Sequence, residues 1–300
     1  MPSWIWFTLG AVSFQTVRFM LQKQLSQVAL GAGGATFARF LYSAPVVLAG
    51  LLIWVGSTGR DWPALTPAFW PYVLAGGLAQ IFATLSMVAL FRTRHFAVGI
   101  TFKKTETLLT VFVGLIVLGE TISLAGFAAI LLGMVGVLIL SDSGGVEVRG
   151  LRRFWNRAAG LGLLSGLLLA MSGVFYRGAT LQVQTEDSTL RAILTLAAVG
   201  MSQLIGMGGW MALFDRGELV RVTRAWKTAG WIGLTSMAGS ICWFNAFTLQ
   251  TAAYVNAVGQ VEVVLSLLAS VLFFHEKLSA REYWGIALIS ASVLGLILLL

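Results

Sequence analysis

Ten apolar runs, each near the roughly 20 residues that a helix needs to cross a bilayer, occupy most of this 300-residue chain. They extend over Ser3 to Leu21, Gly34 to Val55, Ala68 to Phe91, Phe96 to Leu118, Leu124 to Leu140, Ala158 to Leu181, Ser188 to Phe214, Trp226 to Leu249, Tyr254 to Phe274 and Glu282 to Leu300. Runs of this length are too long for the core helices of a soluble domain. Composition agrees: 11% of residues are charged and 58% hydrophobic, against roughly 25% charged in soluble domains. The pattern predicts an all-α membrane protein with ten transmembrane helices, and glycines such as Gly133 and Gly136 suit helices that approach closely. No basic residue precedes Arg18, which argues for a first membrane helix that is retained over a cleaved signal peptide.

Residues 74–140 repeat without a gap at 230–296, a shift of 156 positions. Thirteen of these 67 pairs are identical. Apolar identities carry little weight in such a sequence, but two acids match, Glu106 with Glu262 and Glu120 with Glu276, among only 12 Asp and Glu. The chain therefore divides into a five-helix repeat over 1–142, a connecting loop over 143–157 and a second five-helix repeat over 158–300. Five spans are an odd number, so the second repeat is expected to lie inverted relative to the first. Inverted repeats place a binding site near the midplane where the halves meet.

Thirteen basic residues fall in the loops after segments one, three, five, seven and nine, from Lys23 through Arg152 to Arg281, whereas the opposite side holds Arg60, with Arg177 near a helix end. Basic loops stay in the cytoplasm, which predicts both termini outside. The net charge of +8 then suits anionic lipid headgroups and requires no nucleic acid.

The ten-segment layout, with ARF at Ala38 to Phe40, LGE at Leu118 to Glu120 and FHE at Phe274 to Glu276, resembles the EamA-type branch of the drug/metabolite transporter superfamily. The resemblance covers essentially the whole chain. It implies a central cavity between two halves and transport of small metabolites, amino acids among them, with aromatic amino acid exporters as one branch. The implied location is a bacterial inner membrane. Many members of that superfamily have both ends in the cytoplasm, so the charge count here departs from the common orientation.

Ionisable groups inside membrane helices cost about 2.5–3.5 kcal/mol on insertion scales and usually face a cavity or a partner. Lys103, Glu106, Thr110 and Gly114 follow at spacings of 3, 4 and 4, one helical face, and their counterparts Gly259, Glu262, Ser266 and Ser270 form the same stripe. Glu262 and Glu106 are the leading candidates for substrate binding or for coupling to a proton; hydrogen bonding to a neighbouring helix is the structural alternative. Lys103, three residues before Glu106, can neutralise it locally. Trp243, Asn245, Asn256 and Gln260 supply aromatic surface and amides for a small amphipathic ligand, or pack against lipid and other helices. Gln80, Tyr176 and Gln15 are weaker candidates on the same grounds. Lys104 lies on roughly the opposite face from Glu106 and near the expected cytoplasmic helix end, so it is expected to snorkel to the headgroups, with Arg18 similar. Arg39 and Arg191 are expected to pair with loop carboxylates or helix-end carbonyls, and Glu120 and Glu276 to cap helices or pair between loops.

Enzyme readings lack their parts. The two histidines, His95 and His275, lie in different halves without a metal-ligand pattern, Cys242 is the lone cysteine, and no phosphate-binding glycine loop is present. The sequence therefore points to a secondary transporter that needs no cofactor, with an intramembrane enzyme acting on lipid-linked substrates, or a passive channel, as the alternative classes.

Overall fold

A computed structural model describes residues 2–28, 30–90, 102–141, 157–265 and 280–299. Among these, eleven helices form: α1 (Ser3–Val28), α2 (Ala32–Thr58), α3 (Phe69–Leu90), α4 (Glu106–Leu118), α5 (Leu124–Ser141), α6 (Arg157–Leu181), α7 (Ser188–Phe214), α8 (Arg216–Arg224), α9 (Trp226–Leu249), α10 (Ala252–Gly259) and α11 (Ala280–Leu299). Six of them, α2, α3, α6, α7, α9 and α11, are long and apolar enough to cross a membrane. Helix α1 has the length, but Gln15, Arg18 and Gln22 interrupt its apolar surface. Helices α4, α5 and the Ala252–Leu265 segment are apolar but shorter. The expected fourth and ninth segments run partly outside the described residues.

Two features depart from the expected ten helices. Helix α8 forms in a region expected to be loop: Asp215 Oδ1 accepts from the Glu218 amide at 3.1 Å, and Glu218 in the first turn with Arg221 and Arg224 in the last complements the helix dipole. Two-residue strands β1 (Ala64–Leu65) and β2 (Val183–Gln184) also pair antiparallel, Ala64 opposite Gln184. They tie the loop after α2 to the loop before α7. Arg60 pairs with Asp187 beside them, and Asp187 caps α7 by accepting from the Thr189 and Leu190 amides at 2.9 and 3.0 Å. The bond from the Leu190 amide, helped by Arg60, holds the Asp187 carboxyl below its ordinary range.

The principal helix pairs are α3 on α6, α1 on α9, α5 on α11 and α2 on α7. Small residues permit the closeness: a Cβ on Gly136 of α5 would stand 2.9 Å from the Gly285 carbonyl oxygen of α11. Large apolar side chains such as Ile53, Ile116, Leu213 and Leu298 point outward and are exposed, the surface a lipid environment covers. Helix α4 ends in a left-handed residue, Gly119 at φ 67°. The Gly119 amide bonds Leu115 O four residues back, an αL termination that favours glycine at this place in the LGE sequence.

The backbone breaks twice in the interior. Before α4 the Thr105 amide bonds back three residues to Phe102 O at 3.1 Å, and after α10 the Gln260 amide bonds Ala257 O at 3.2 Å, in place of the four-residue step of an α-helix. Each break directly precedes one of the repeat-paired acids, Glu106 and Glu262.

Candidate functional site

Between the helices lies a cavity with about 70 Å³ of room for water centres, enough for several waters. Both halves build it. Gln15 and Arg18 come from α1, Arg39 from α2, Gln80 from α3, Lys103 and Lys104 from the break before α4, and Glu106 from α4 itself; α6 adds Tyr176, α9 adds Trp243, and α10 with its continuation adds Asn256, Gln260 and Glu262.

The breaks determine the electrostatics. Lys103 Nζ pairs with Glu106 Oε2 at 3.0 Å within the first half. Lys104 Nζ reaches Glu262 Oε2 at 3.3 Å, an ion pair that joins the two halves. Glu262 Oε2 also accepts from Gln15 Nε2 at 3.5 Å, and Gln15 Oε1 accepts from Trp243 Nε1 at 3.1 Å and from Arg18 Nη2 at 3.4 Å. A single polar chain thus runs from Lys104 through Glu262 and Gln15 to Trp243 and Arg18. Arg39 Nη2 donates to Ser240 Oγ at 3.3 Å. These groups are buried: Lys103 is 4% exposed, Arg18 and Arg39 6% each.

The wall nearer α3 is uncharged. Tyr176 Oη donates to Gln80 Oε1 at 2.8 Å, and Gln203 Nε2 donates to Gln80 Oε1 at 3.1 Å and to Gly77 O at 3.0 Å. Gln203 had no signal to separate it from other interior amides. Aromatic rings close the cavity in two stacks, Trp243 on Phe247 at 5.5 Å and Tyr176 on Phe244 at 4.5 Å between centroids. Asn256 Nδ2 donates to Thr110 Oγ1 at 2.9 Å, so this amide holds α10 to α4 while it lines the space.

Of the nine residues singled out from the sequence, Glu262, Glu106, Lys103, Asn256, Gln260, Trp243, Gln80 and Tyr176 line this cavity. Asn245 does not; its Nδ2 donates to Ile241 O at 2.8 Å on its own helix. Lys104 departs from the expected snorkelling position, because the chain leaves the helical path at residues 104–105 and the face computed for a continuous helix no longer applies. Glu262 consequently has a lysine partner, which its own sequence neighbourhood does not contain. Arg18 and Arg39 also face the cavity, whereas the sequence suggested headgroups and loop carboxylates for them. The rule for ionisable residues in membrane helices applied to all three. All three lie near expected helix ends, where a long basic side chain can also reach the headgroups or helix-end carbonyls. Glu120 pairs with Arg177, which also donates to Phe247 O and Gln250 O at 2.8 and 2.9 Å. Arg191 Nε donates to Thr185 O at 2.6 Å. Ser266, Ser270, Glu276, His95 and His275 lie outside the described residues.

Residues 156–298 match the model of the EamA-like transporter family. A Sinorhizobium sp protein described as "Uncharacterized transporter in cobO 3'region" is 27% identical over 132 residues, 44% of this chain and 90% of that protein. A solved structure described as "Crystal structure of protein" superposes with a TM-score of 0.72 at 17% identity, over 99% of this chain and 97% of its own. That likeness shows a fold in common with the solved structure over nearly the whole chain.

Proposed function

We propose that this chain, whose residues 156–298 match the EamA-like transporter family, is a multi-pass secondary active transporter that moves small amphipathic metabolites, amino acids or related compounds, by alternating access, outward across a bacterial inner membrane. The observation that carries the reading is the buried cavity whose ionisable side chains come from both halves and meet in the Lys104–Glu262 pair. A group shared between two bodies changes partner when those bodies move, which is what coupling a substrate or proton to alternating access requires.

The packing supports an inverted duplication. Under the 156-residue shift α1 corresponds to α6 and α3 to α9, and the pairs α3 on α6 and α1 on α9 exchange with one another. The two backbone breaks correspond as well, Lys104 to Gln260. Discontinuous helices beside a central cavity are the usual place for substrate and coupling ions in transporters of this design. The stacked aromatics beside amides and charges suit a ligand with an apolar body and a polar end.

The test is counterflow in proteoliposomes. Proteoliposomes that hold the purified protein and are preloaded with one member of a panel of amino acids and related carboxylates are expected to take up the same labelled compound faster, and saturably. Chemical turnover without net movement would identify an enzyme instead, and flux that never saturates would identify a channel.

A further inference from the structure

The charges of the cavity do not cancel. Among the described residues it holds four cations, Arg18, Arg39, Lys103 and Lys104, against two carboxylates, Glu106 and Glu262. Each carboxylate already has a lysine, Glu106 at 3.0 Å and Glu262 at 3.3 Å. The arginines make no ion pair with a carboxylate of the described residues. Arg39 has a 3.3 Å bond to Ser240 Oγ. Arg18 has a 3.4 Å bond to Gln15 Oε1, and its Nε, fully buried, has no hydrogen-bond partner.

Both guanidiniums also line a second, smaller space, with about 10 Å³ of room for water centres, that opens beside the first. Its remaining polar groups are hydroxyls, Thr235, Ser236 and Ser240, and the amide of Gln15, without an acid among them. Ser236 is 2% exposed and its Oγ is a second buried polar atom without a partner. Two forked cations and two unpartnered donors around a water-sized space form a receptor for an oxyanion. Room for one water centre suits the oxygen of a planar carboxylate and is too tight for the three oxygens of a phosphate. Trp243 lines both spaces, so an apolar body attached to that oxyanion would lie along the aromatic wall.

The repeat sharpens the point. Under the 156-residue shift Arg18 corresponds to Val174 and Arg39 to Thr195, so the anion niche exists in one half only. The corresponding wall carries the neutral Tyr176, Gln80 and Gln203 network. Both carboxylates of the cavity are paired with lysines, so no unpaired carboxylate of the described residues stands ready for an ammonium group.

We infer that the ligand of this cavity is a net-anionic carboxylate with an apolar body, its carboxylate seated on Arg18 and Arg39, in preference to a zwitterion. The assignment rests on the transport reading for the use of the site and narrows that reading's substrate class. An excess of fixed positive charge admits a monoanion without importing a second charge that the site would have to neutralise.

Binding to the purified full chain in detergent, followed as a thermal shift and by calorimetry, tests this with 3-phenylpropionate, its uncharged amide 3-phenylpropanamide, phenylalanine and phenyl phosphate. The expected result is that 3-phenylpropionate binds at least tenfold tighter than each of the other three. Arg18→Gln and Arg39→Gln are expected to remove the preference of acid over amide, and Arg39→Lys to restore part of it. Equal or tighter binding of phenylalanine or of the amide, no binding of 3-phenylpropionate, or a preference unchanged in a folded Arg18→Gln or Arg39→Gln protein would each overturn the inference. Tighter binding of phenyl phosphate would overturn the carboxylate assignment. The probe series on unaltered protein decides the matter even if a variant does not fold. If 3-phenylpropionate binds as expected but no probe crosses proteoliposomes, the transport reading fails and the anion site stands. If phenylalanine is carried while 3-phenylpropionate neither binds nor competes, transport stands and the anion site falls.

Discussion

Gly233 and Gly230 lie one turn apart on α9, and replacing each with alanine isolates what close packing of α9 on α2 contributes. A Cβ on Gly233 would overlap Tyr42 Cβ and lie 3.0 and 3.1 Å from the Tyr42 carbonyl carbon and Cα, whereas a Cβ on Gly230 meets nothing within 4 Å. Glycine to alanine in a helix interior gains up to about 1 kcal/mol from propensity, and this gain is common to both variants, so it cancels in their difference. What remains is the overlap. Inserting one carbon into a filled contact costs about 1–3 kcal/mol, and the upper part of that range applies here because backbone atoms cannot rotate away as a side-chain end can. Relief requires α2 to move off α9, and the movement has a functional reading. Arg39 lies one turn before Tyr42 on α2 and donates to Ser240 on α9 across the same contact at 3.3 Å, so parting the helices withdraws a guanidinium from the cavity. Gly233→Ala should therefore be less stable than Gly230→Ala by about 1–3 kcal/mol in reversible unfolding in mixed micelles, and its flux in proteoliposomes should fall at least tenfold while Gly230→Ala keeps the unaltered rate. Stabilities of the two variants within about 0.5 kcal/mol, the usual range of inconsequential surface changes, would refute the packing argument.

Glu262→Gln leaves the shape of the acid but removes its charge from Lys104; gradient-driven flux and its pH dependence should both disappear, and an unaltered rate and pH profile would sink the coupling role. In a double-mutant cycle with Lys104→Met the pair should show about 1–3 kcal/mol of coupling, and independent effects would mean the two side chains do not act together. Asp187→Ala should cost about 1 kcal/mol as a lost helix cap, with Asp187→Asn much milder. Because the Asp187 carboxyl titrates below its ordinary value in the folded chain, its stabilisation is present above about pH 3.9 and fades as pH falls through the lower folded value; an equal penalty for Asp187→Ala at neutral pH and well below the carboxylate range would contradict this. The charge asymmetry of the loops leads us to expect the connecting segment around Arg157 in the cytoplasm and Leu300 outside, so a C-terminal alkaline phosphatase fusion should be active and a green fluorescent protein fusion dark, with the reverse pair of results placing the terminus inside.

The membrane location, the helical class and the 156-residue correspondence between Glu106 and Glu262 follow from sequence because each depends on position along one dimension. Lipid admits apolar runs of a given length whatever their neighbours, and a duplication is a shift of the chain against itself. Glu106 with Lys103 was equally legible, since a spacing of three within one segment brings the two together. The Lys104–Glu262 pair was not. It spans 158 positions, and it exists because the backbone abandons helical geometry at residues 104–105, which turns Lys104 out of the face that 100° per residue assigns to it. Asn245 shows the converse: a polar residue in an apolar run, it satisfied itself on Ile241 O one turn back, a choice that composition leaves open. The same holds for Arg18 and Arg39, which sit on successive helices and line one cavity because α1 and α2 both pack on α9. Sequence determined that buried charges exist in this protein, because inserting them is costly wherever they fall; tertiary structure decided which of them share one cavity and with what net sign, because that depends on distances between helices that no periodicity encodes.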